Sequence, residues 1–236
     1  MTSIPREPDG GASSNGSVVD LLWIPLGAGR RVVRHSGAAY EAFAALVQRR
    51  PRATLYHSAL EISVPERRVV IEMAPIPDQR GAERGVIVEG PVGVRGAGRV
   101  RILRYEMRSW PNGVIPNRAL AVESPVVVST DVTVARRLLD LVRYVPAQTW
   151  GRDELRAGEM WTSNSVIAWL LESAGVDAAA LHPPRGGRAP GWRSGVFAAR
   201  RGPPAVAWRA RPRVAVRGLR PRRRQVRRIA TPAVPH

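Results

Sequence analysis

The segment LYHSALEISVPERRVVIEMA, residues Leu55–Ala74, decides the fold because it has the pattern of a β-hairpin. Its first half alternates between an apolar set of side chains and a set that includes polar residues. Pro65–Arg68 supplies a turn, and VVIEMA returns as a second strand. The apolar set consists of Tyr56, Leu60, Ile62 and Val64. The pattern predicts a sheet built from antiparallel strands.

The same hairpin carries polar side chains on one of its faces. His57 and Glu61 share that face, but they are four residues apart, about 13 Å at a rise of about 3.3 Å per residue. If Val64 pairs with Val69, Glu72 lies opposite Glu61 on the His57 face. Two opposed carboxylates repel each other unless an arginine or a shared proton intervenes, or unless the register differs. Glu72 is the better candidate to orient the His57 ring.

Further strands and three helices surround the hairpin. The predicted strands lie in VVDLLWIPLGAG (18–29), RRVVRH (30–35), GVIVEGPVG (85–93), RVRILRYEMR (99–108) and residues 125–129. A change of phase between Ile102 and Leu103 predicts a β-bulge. Apolar residues at helical spacing predict helices over about 36–51, 133–143 and 163–173. This order predicts an α+β domain in which an antiparallel sheet packs against about three helices.

Positive charge is concentrated at the C-terminal end. The chain has 236 residues and a formal net charge of +18, and every cation is an arginine. Twelve arginines and no acidic residue lie from Val196 onward, which leaves 25 arginines against 19 acidic residues before it. We therefore expect a disordered segment at 1–17, a single α+β domain at 18–195 and a disordered Arg/Pro-rich tail at 196–236.

Composition also excludes several classes of chemistry. Without cysteine there is no disulfide, no thiolate nucleophile and no zinc–thiolate site. The glycine-containing segments lack the spacing of nucleotide-binding loops, and His35, His182 and His236 lack metal-ligand spacing, so we expect no cofactor and no metal. No signal-peptide pattern is seen, and no apolar run approaches the roughly 18 residues of a spanning helix. A cytoplasmic protein without a membrane span is expected.

EMWTSNSVIAWLL, residues 159–171, opens the last predicted helix with small polar side chains. Thr162, Ser163 and Asn164 are suited to capping a helix, each cap being worth about 1 kcal/mol. A hydroxyl at a helix N-terminus also lies in positive potential, which stabilises the negative charge that develops on a nucleophile. Both interpretations stay open at this point.

His57 also permits two interpretations. A half-buried structural histidine is common in folded proteins. The small neighbours Ser58 and Ala59 leave room beside the ring, however, for a substrate or a partner side chain.

Three motifs follow one another along residues 18–195: a histidine on an early strand (LYHSALEI), a polar residue on the next strand (VVIEM) and a helix that opens with small polar residues (WTSNSVIAWLL). This order resembles the permuted papain-like clan, which includes NlpC-type peptidases, lecithin:retinol acyltransferase-like proteins and PPPDE peptidases. The resemblance implies a papain-like fold with His57 as general base, Glu72 as the group that orients it and Ser163 in place of the catalytic cysteine. It also implies that N–H groups at the helix start, from Asn164 and Ser165, hold an oxyanion.

The serine distinguishes this chain from the enzymes of that clan. They use a thiolate, whereas the Ser163 hydroxyl has to lose its proton during attack. A triad of Ser163, His57 and Glu72 is chemically feasible. The resemblance therefore implies either an amide or ester hydrolase or acyltransferase, or an inactive relative whose groove binds a peptide, a protein or an acyl group.

Arginines outside this constellation suggest other ligands. Arg185 and Arg188, in PPRGGRAPGW, are candidates for binding an anion, although solvated loop charges are the more usual case. The arginines of the tail are suited to nucleic-acid phosphates or to an anionic membrane. A nucleic-acid-associated protein that acts through its tail is therefore a third alternative.

Overall fold

Six of the seven described strands lie in segments that the sequence predicts as strands, and the two-residue strand Gly187–Arg188 was not predicted. The computed structural model describes residues 16–26, 53–75, 85–94, 96, 99, 103–115 and 117–202. The strands are β1 (Val18–Pro25), β2 (Thr54–Val64), β3 (Arg67–Pro75), β4 (Val86–Pro91), β5 (Arg104–Pro111), β6 (Val126–Ser129) and β7 (Gly187–Arg188). Six of them form an antiparallel sheet in the order β4-β5-β3-β2-β1-β6, and β7 pairs in parallel with the beginning of β2.

Three α-helices within the described residues pack against this sheet: α1 (Val132–Leu141), α2 (Ser163–Ala174) and α3 (Trp192–Arg200). The sheet and helices confirm the predicted fold class, α+β with an antiparallel sheet. The helices predicted over 133–143 and 163–173 are confirmed as α1 and α2. The helix predicted over 36–51, the strand predicted over 30–35 and the predicted bulge before Leu103 lie outside the described residues.

The third helix was not predicted, and it moves the expected end of the domain. The sequence predicts a loop before residue 195 and a tail from residue 196 onward, but α3 continues to Arg200 with Val196 buried in the core. Its start has no side-chain cap, because Gly191 stands at the N-cap position with a φ of +85°. The usual Ser, Thr, Asp or Asn signal for a helix start is therefore missing from the sequence.

The register of the central hairpin also differs from the prediction. Val64 pairs with Arg67 instead of Val69, so only Pro65 and Glu66 form the turn. This shift of two residues places Val70, not Glu72, opposite Glu61. Because a shift of two keeps every side chain on its own face, Glu72 still shares the face of His57.

The edge of β2 that faces away from β1 has three successive neighbours. β7 pairs with Thr54 and Leu55, and β3 pairs only from Leu60 onward, with Ile71 as the last partner. Between these two ladders, the start of α2 bonds to β2 through His57 and Ser58, whose side chains point to opposite faces of the strand. The beginning of α2 is thus held at the edge of β2 that β3 has left.

The two faces of the sheet carry different side chains. The helices cover one face with the larger apolar core, to which Ile62, Ile71 and Leu170 belong. The other face, here called the His57 face, has a smaller apolar cluster of Leu22, Ile24, Ala59, Val70 and Ile115. The polar side chains of the candidate site lie beside this smaller cluster.

α3 packs closely on α2 at Gly195, so we expect even an alanine at this position to destabilise the fold. A Cβ atom there would overlap the backbone carbonyl of Ser165 and lie 2.9 Å from the Cβ of Ala168. Helix propensity alone predicts that Gly195→Ala stabilises a helix by about 1 kcal/mol, whereas overpacking costs about 1–3 kcal/mol. We expect Gly195→Ala to lower the free energy of unfolding, measured by urea denaturation. Gly16→Ala, in open space, is the control, and a stabilised Gly195→Ala variant would contradict this packing.

Candidate functional site

Ser163, His57 and Glu72 form one hydrogen-bonded chain. The His57 ring lies 2.7 Å from the Ser163 hydroxyl through Nδ1 and 3.2 Å from a carboxylate oxygen of Glu72 through Nε2. Because an ionised carboxylate only accepts hydrogen bonds, the ring hydrogen is on Nε2. Nδ1 then accepts the hydrogen of the Ser163 hydroxyl. The structure therefore brings together the three residues that the sequence analysis selected, and in this tautomer His57 can take a proton from Ser163.

The chain of hydrogen bonds is largely shielded from solvent. Ser163 is 4% exposed and Glu72 is 5% exposed, while His57 is half-buried at the junction between them. Exclusion of water strengthens hydrogen bonds and charge interactions inside such a site. Within the described residues, the second carboxylate oxygen of Glu72 has no hydrogen-bond partner. The contacts of Glu72 beyond His57 are therefore important for the electrostatics of the site.

Ser163 does not serve as the cap of α2. Thr162 occupies the N-cap, and its hydroxyl accepts from the backbone N–H of Asn164 at 3.1 Å and donates to the carbonyl of Pro190 at 2.7 Å. The Ser165 hydroxyl accepts from the backbone N–H of Thr162 and completes a capping box. The residues that cap the helix, Thr162 and Ser165, are therefore different from Ser163, the candidate nucleophile. The Ser163 side chain is left to bond to His57.

Asn164 and Ser165 have structural contacts that differ from the expected oxyanion role. The Asn164 side chain accepts from Ser58 and donates to the carbonyls of Tyr56 and Pro190, at 2.9–3.0 Å. The backbone N–H of Asn164 bonds to Thr162, and that of Ser165 bonds to the Thr162 carbonyl. Since these N–H groups already have acceptors, they are not available to an oxyanion in this arrangement.

The backbone N–H of Ser163 differs from its two successors. It belongs to the first turn of α2, where N–H groups have no acceptor within the helix. In the part of the chain that the structure describes, we find no other acceptor for it. This N–H is therefore the available donor at the start of α2.

Glu61 takes part in a separate cluster on the His57 face. Arg68 and Arg118 donate to its carboxylate at 2.5–3.0 Å, and Asp20 lies opposite it on β1. Burial by itself raises the pKa of Glu61, but hydrogen bonds and charge from the two arginines outweigh burial and hold the pKa below its ordinary value. Burial raises the pKa of Asp20, and the neighbouring Glu61 adds to the effect. As expected from its spacing along β2, Glu61 does not orient His57.

Two charged residues behind Glu72 were missed by the sequence analysis. On β5, Arg108 pairs with Glu72 across the sheet, and its guanidinium lies 4.0 Å from the second carboxylate oxygen of Glu72. The Nε of Arg108 also donates to Glu106 at 2.5 Å. The alternation in RYEMR places both residues on one face of a strand, but a single arginine carries little signal in a chain so rich in arginine.

The predicted anion-binding arginines lie near β7. Arg188 pairs with Leu55, two residues before His57, and therefore lies on the His57 face of the sheet. Arg185 is exposed in the preceding loop. Anion binding by these arginines stays a prediction.

The fold and the site together define an α+β protein that holds a serine, at the start of a helix, against a strand histidine and a buried carboxylate. No protein-family model, no curated protein and no solved structure matches this chain. Among the described residues, no group of three or more His, Cys, Asp or Glu side chains is placed to hold a metal ion. In that same part of the chain, the helices are too short or too polar to cross a bilayer.

The pKa shifts of Glu61 and Asp20 predict opposite effects of two isosteric variants on stability. Because the pKa of Glu61 is lowered in the native protein, its ionised form stabilises the fold at pH values above 4.5, the ordinary pKa of a glutamate. This stabilisation is lost as the pH falls through the lowered pKa. Because the pKa of Asp20 is raised in the native protein, its protonated form stabilises the fold at pH values below 3.8, the ordinary pKa of an aspartate. This stabilisation is lost as the pH rises through the raised pKa. At pH 7 we expect Glu61→Gln to lower the free energy of unfolding, by roughly 1 kcal/mol because the arginines are partly exposed, and Asp20→Asn to raise it.

Urea denaturation between pH 3 and pH 8 measures both effects. The difference for Asp20→Asn should shrink as the pH falls through the raised pKa of Asp20 towards 3.8, and the difference for Glu61→Gln should shrink as the pH falls through the lowered pKa of Glu61. Arg136→Gln, which removes an exposed ion pair with Glu66, is the control and should change stability little at any pH. A destabilised Asp20→Asn variant at pH 7 would show that the Asp20 charge is compensated in the native protein.

Proposed function

We propose that this protein is a hydrolase or acyltransferase that cleaves an amide or ester through Ser163, and that it is a relative of the permuted papain-like clan in which serine replaces cysteine. The observation that carries the proposal is the hydrogen-bonded chain from the Ser163 hydroxyl through both nitrogens of His57 to Glu72. A nucleophile in contact with a base, and a third group in contact with that base, are the geometric requirements for nucleophilic catalysis by a hydroxyl.

In the proposed reaction, the Oγ atom of Ser163 attacks the carbonyl carbon as its proton moves to Nδ1 of His57. The carboxylate of Glu72 holds the ring through Nε2 and stabilises the imidazolium that forms. The tetrahedral intermediate collapses when the leaving amine or alcohol takes the proton from Nδ1, which leaves an acyl group on Ser163. Water or another acceptor then attacks the acyl group, with His57 again acting as base.

The backbone N–H of Ser163 is the proposed oxyanion donor. It lies in the positive potential at the start of α2, and it is the N–H there that lacks an acceptor within the described residues. This assignment replaces the expected role of Asn164 and Ser165, whose N–H groups bond to Thr162. Those residues instead fix the start of the helix, so that the Ser163 hydroxyl and N–H keep their positions.

The order of the elements is consistent with the proposed kinship. The histidine lies on β2, the carboxylate on the next strand β3, and the hydroxyl opens a later helix, α2. The ring presents Nδ1 to the serine and Nε2 to the carboxylate, which is the reverse of the chymotrypsin-type triad. The site is therefore not a copy of that triad, although it has the same three kinds of group.

Labelling with a fluorophosphonate tests the proposal. We expect the folded protein to be labelled at Ser163, and we expect Ser163→Ala to abolish labelling because the nucleophile is removed. His57→Ala should slow labelling by about a hundredfold or more, which is the usual contribution of a general base. The measurement is the labelled fraction over time, with the modified peptide identified by mass spectrometry.

The matched control is Ser173→Ala, which removes a hydroxyl from the last turn of the same helix. This variant should be labelled at the wild-type rate. A folded wild-type protein that stays unlabelled, or labelling that persists in Ser163→Ala, would overturn the proposed enzyme. Capture of a peptide or protein partner that survives Ser163→Ala would then favour the binding module.

A further inference from the structure

Two side-chain hydrogen bonds lie next to each other between β2 and the start of α2. The Ser163 hydroxyl bonds to the His57 ring at 2.7 Å, and the Ser58 hydroxyl donates to the Asn164 side chain at 2.9 Å. Both pairs are 106 residues apart in the sequence, so consecutive residues of the strand meet consecutive residues of the helix. Ser58 is 0% exposed and Asn164 is 2% exposed, so the second bond is shielded from solvent.

The two bonds point in different directions. His57 and Ser58 are neighbours on a strand, so their side chains lie on opposite faces of the sheet. Ser163 and Asn164 are neighbours in the first turn of a helix, where successive side chains are about 100° apart. A single hydrogen bond would let the start of the helix turn or slide at the edge of β2, whereas two divergent bonds oppose both movements. The Ser58–Asn164 bond therefore limits where the Ser163 hydroxyl lies.

The Asn164 amide is suited to this task because it both accepts and donates. Its Oδ1 atom accepts from Ser58, and its Nδ2 atom donates to the carbonyls of Tyr56 and Pro190. One orientation of the amide satisfies all three partners, because only Nδ2 carries hydrogens. Tyr56 belongs to β2, and Pro190 lies between β7 and α3. One buried side chain thus joins the start of α2 to two other parts of the fold.

We propose that Ser58 and Asn164 are positioning residues: their buried hydrogen bond holds the Ser163 hydroxyl within bonding distance of Nδ1 of His57. This inference rests on the proposed function. Both residues are next to a reacting residue in the sequence, but their side chains bond elsewhere and take no part in proton transfer. A displacement of about 1 Å can slow a reaction by about a hundredfold, so a contact of this kind matters for the rate.

A contribution to stability alone is the alternative role for this bond. Thr162 and Ser165 already cap α2, so the first turn of the helix has its caps without the Ser58 bond. Loss of the bond should therefore change the position of the helix start more than the formation of the helix. Urea denaturation measures stability, whereas the labelling rate of Ser163 and the NMR signals of the His57 ring depend on position.

Fluorophosphonate labelling of Ser58→Ala and Asn164→Ala measures the effect on the reaction. At saturating probe, we expect the labelling rate to fall by about tenfold in Ser58→Ala, which loses one bond, and by about a hundredfold in Asn164→Ala, which loses three. The probe concentration that gives half of the maximal rate should stay unchanged, because both side chains are buried. The double variant should be no slower than Asn164→Ala, because both changes remove the same bond.

Thr149→Val is the matched control. It removes a buried hydroxyl that donates to Glu154 and not to a group at the start of α2. We expect this variant to lose stability in urea denaturation and to keep the wild-type labelling rate once the folded fraction is taken into account. If Thr149→Val is slowed as much as Ser58→Ala, or if neither Ser58→Ala nor Asn164→Ala is slowed, the inference is wrong.

NMR of the His57 ring separates the inference from the proposed function, because the ring nitrogens report the hydrogen bond without a reaction. At a pH where the ring is neutral, Ser163→Ala gives the Nδ1 signal of a ring that has lost the hydroxyl. In Ser58→Ala and Asn164→Ala, the Nδ1 signal should move from its wild-type position towards this reference. If the wild-type protein is never labelled, the enzyme proposal fails, but this movement would still support the positioning of Ser163. A Nδ1 signal that stays at its wild-type position in both variants would overturn the inference, whether or not the protein is labelled.

Discussion

The site depends on the separation of β2 and β3 after the pair Leu60–Ile71. A strand has two edges, and β1 occupies one edge of β2 from Tyr56 to Ser63. If β3 continued along the other edge, it would fill the space in which the start of α2 meets His57 and Ser58. Because β3 leaves, backbone groups of β2 become available, and the Asn164 amide bonds to the carbonyl of Tyr56. Where the β2–β3 ladder ends, β2 therefore bonds to the start of α2, the helix that carries Ser163.

Charge compensation on the His57 face follows a consistent pattern. Each deeply buried carboxylate on this face has a nearby arginine: Arg68 and Arg118 bond to Glu61, and Arg108 bonds to Glu106. An arginine is suited to this role because its guanidinium stays charged and offers several donors. Glu72 differs, since its Arg108 contact is long at 4.0 Å and its short contact is to His57. Because the contact with Arg108 is long, the closest side-chain contact of the Glu72 carboxylate is the one with the His57 ring.

The sequence predicted those features that depend on local periodicity. The alternation in β2 and the apolar spacing of α2 are properties of neighbouring residues, and they led to His57 and Ser163. The register of the hairpin depended on its turn, so Val64 paired with Arg67 instead of Val69. Arg108 could not be found from the sequence, because its importance comes from the pairing of β5 with β3 and not from its neighbours in the chain.

Under the proposed function, the carboxylate beside His57 has a role that a neutral group would fill less well. A thiol can ionise before attack, so the histidine beside it already carries the proton in the resting site. A hydroxyl keeps its proton until the bond to the carbonyl carbon forms, and the imidazole has to become charged at that moment. A carboxylate beside the ring lowers the free energy of that step because it stabilises the imidazolium. In the proposed enzyme, the Ser163 hydroxyl on one side of His57 and the buried Glu72 carboxylate on the other side therefore meet one chemical requirement.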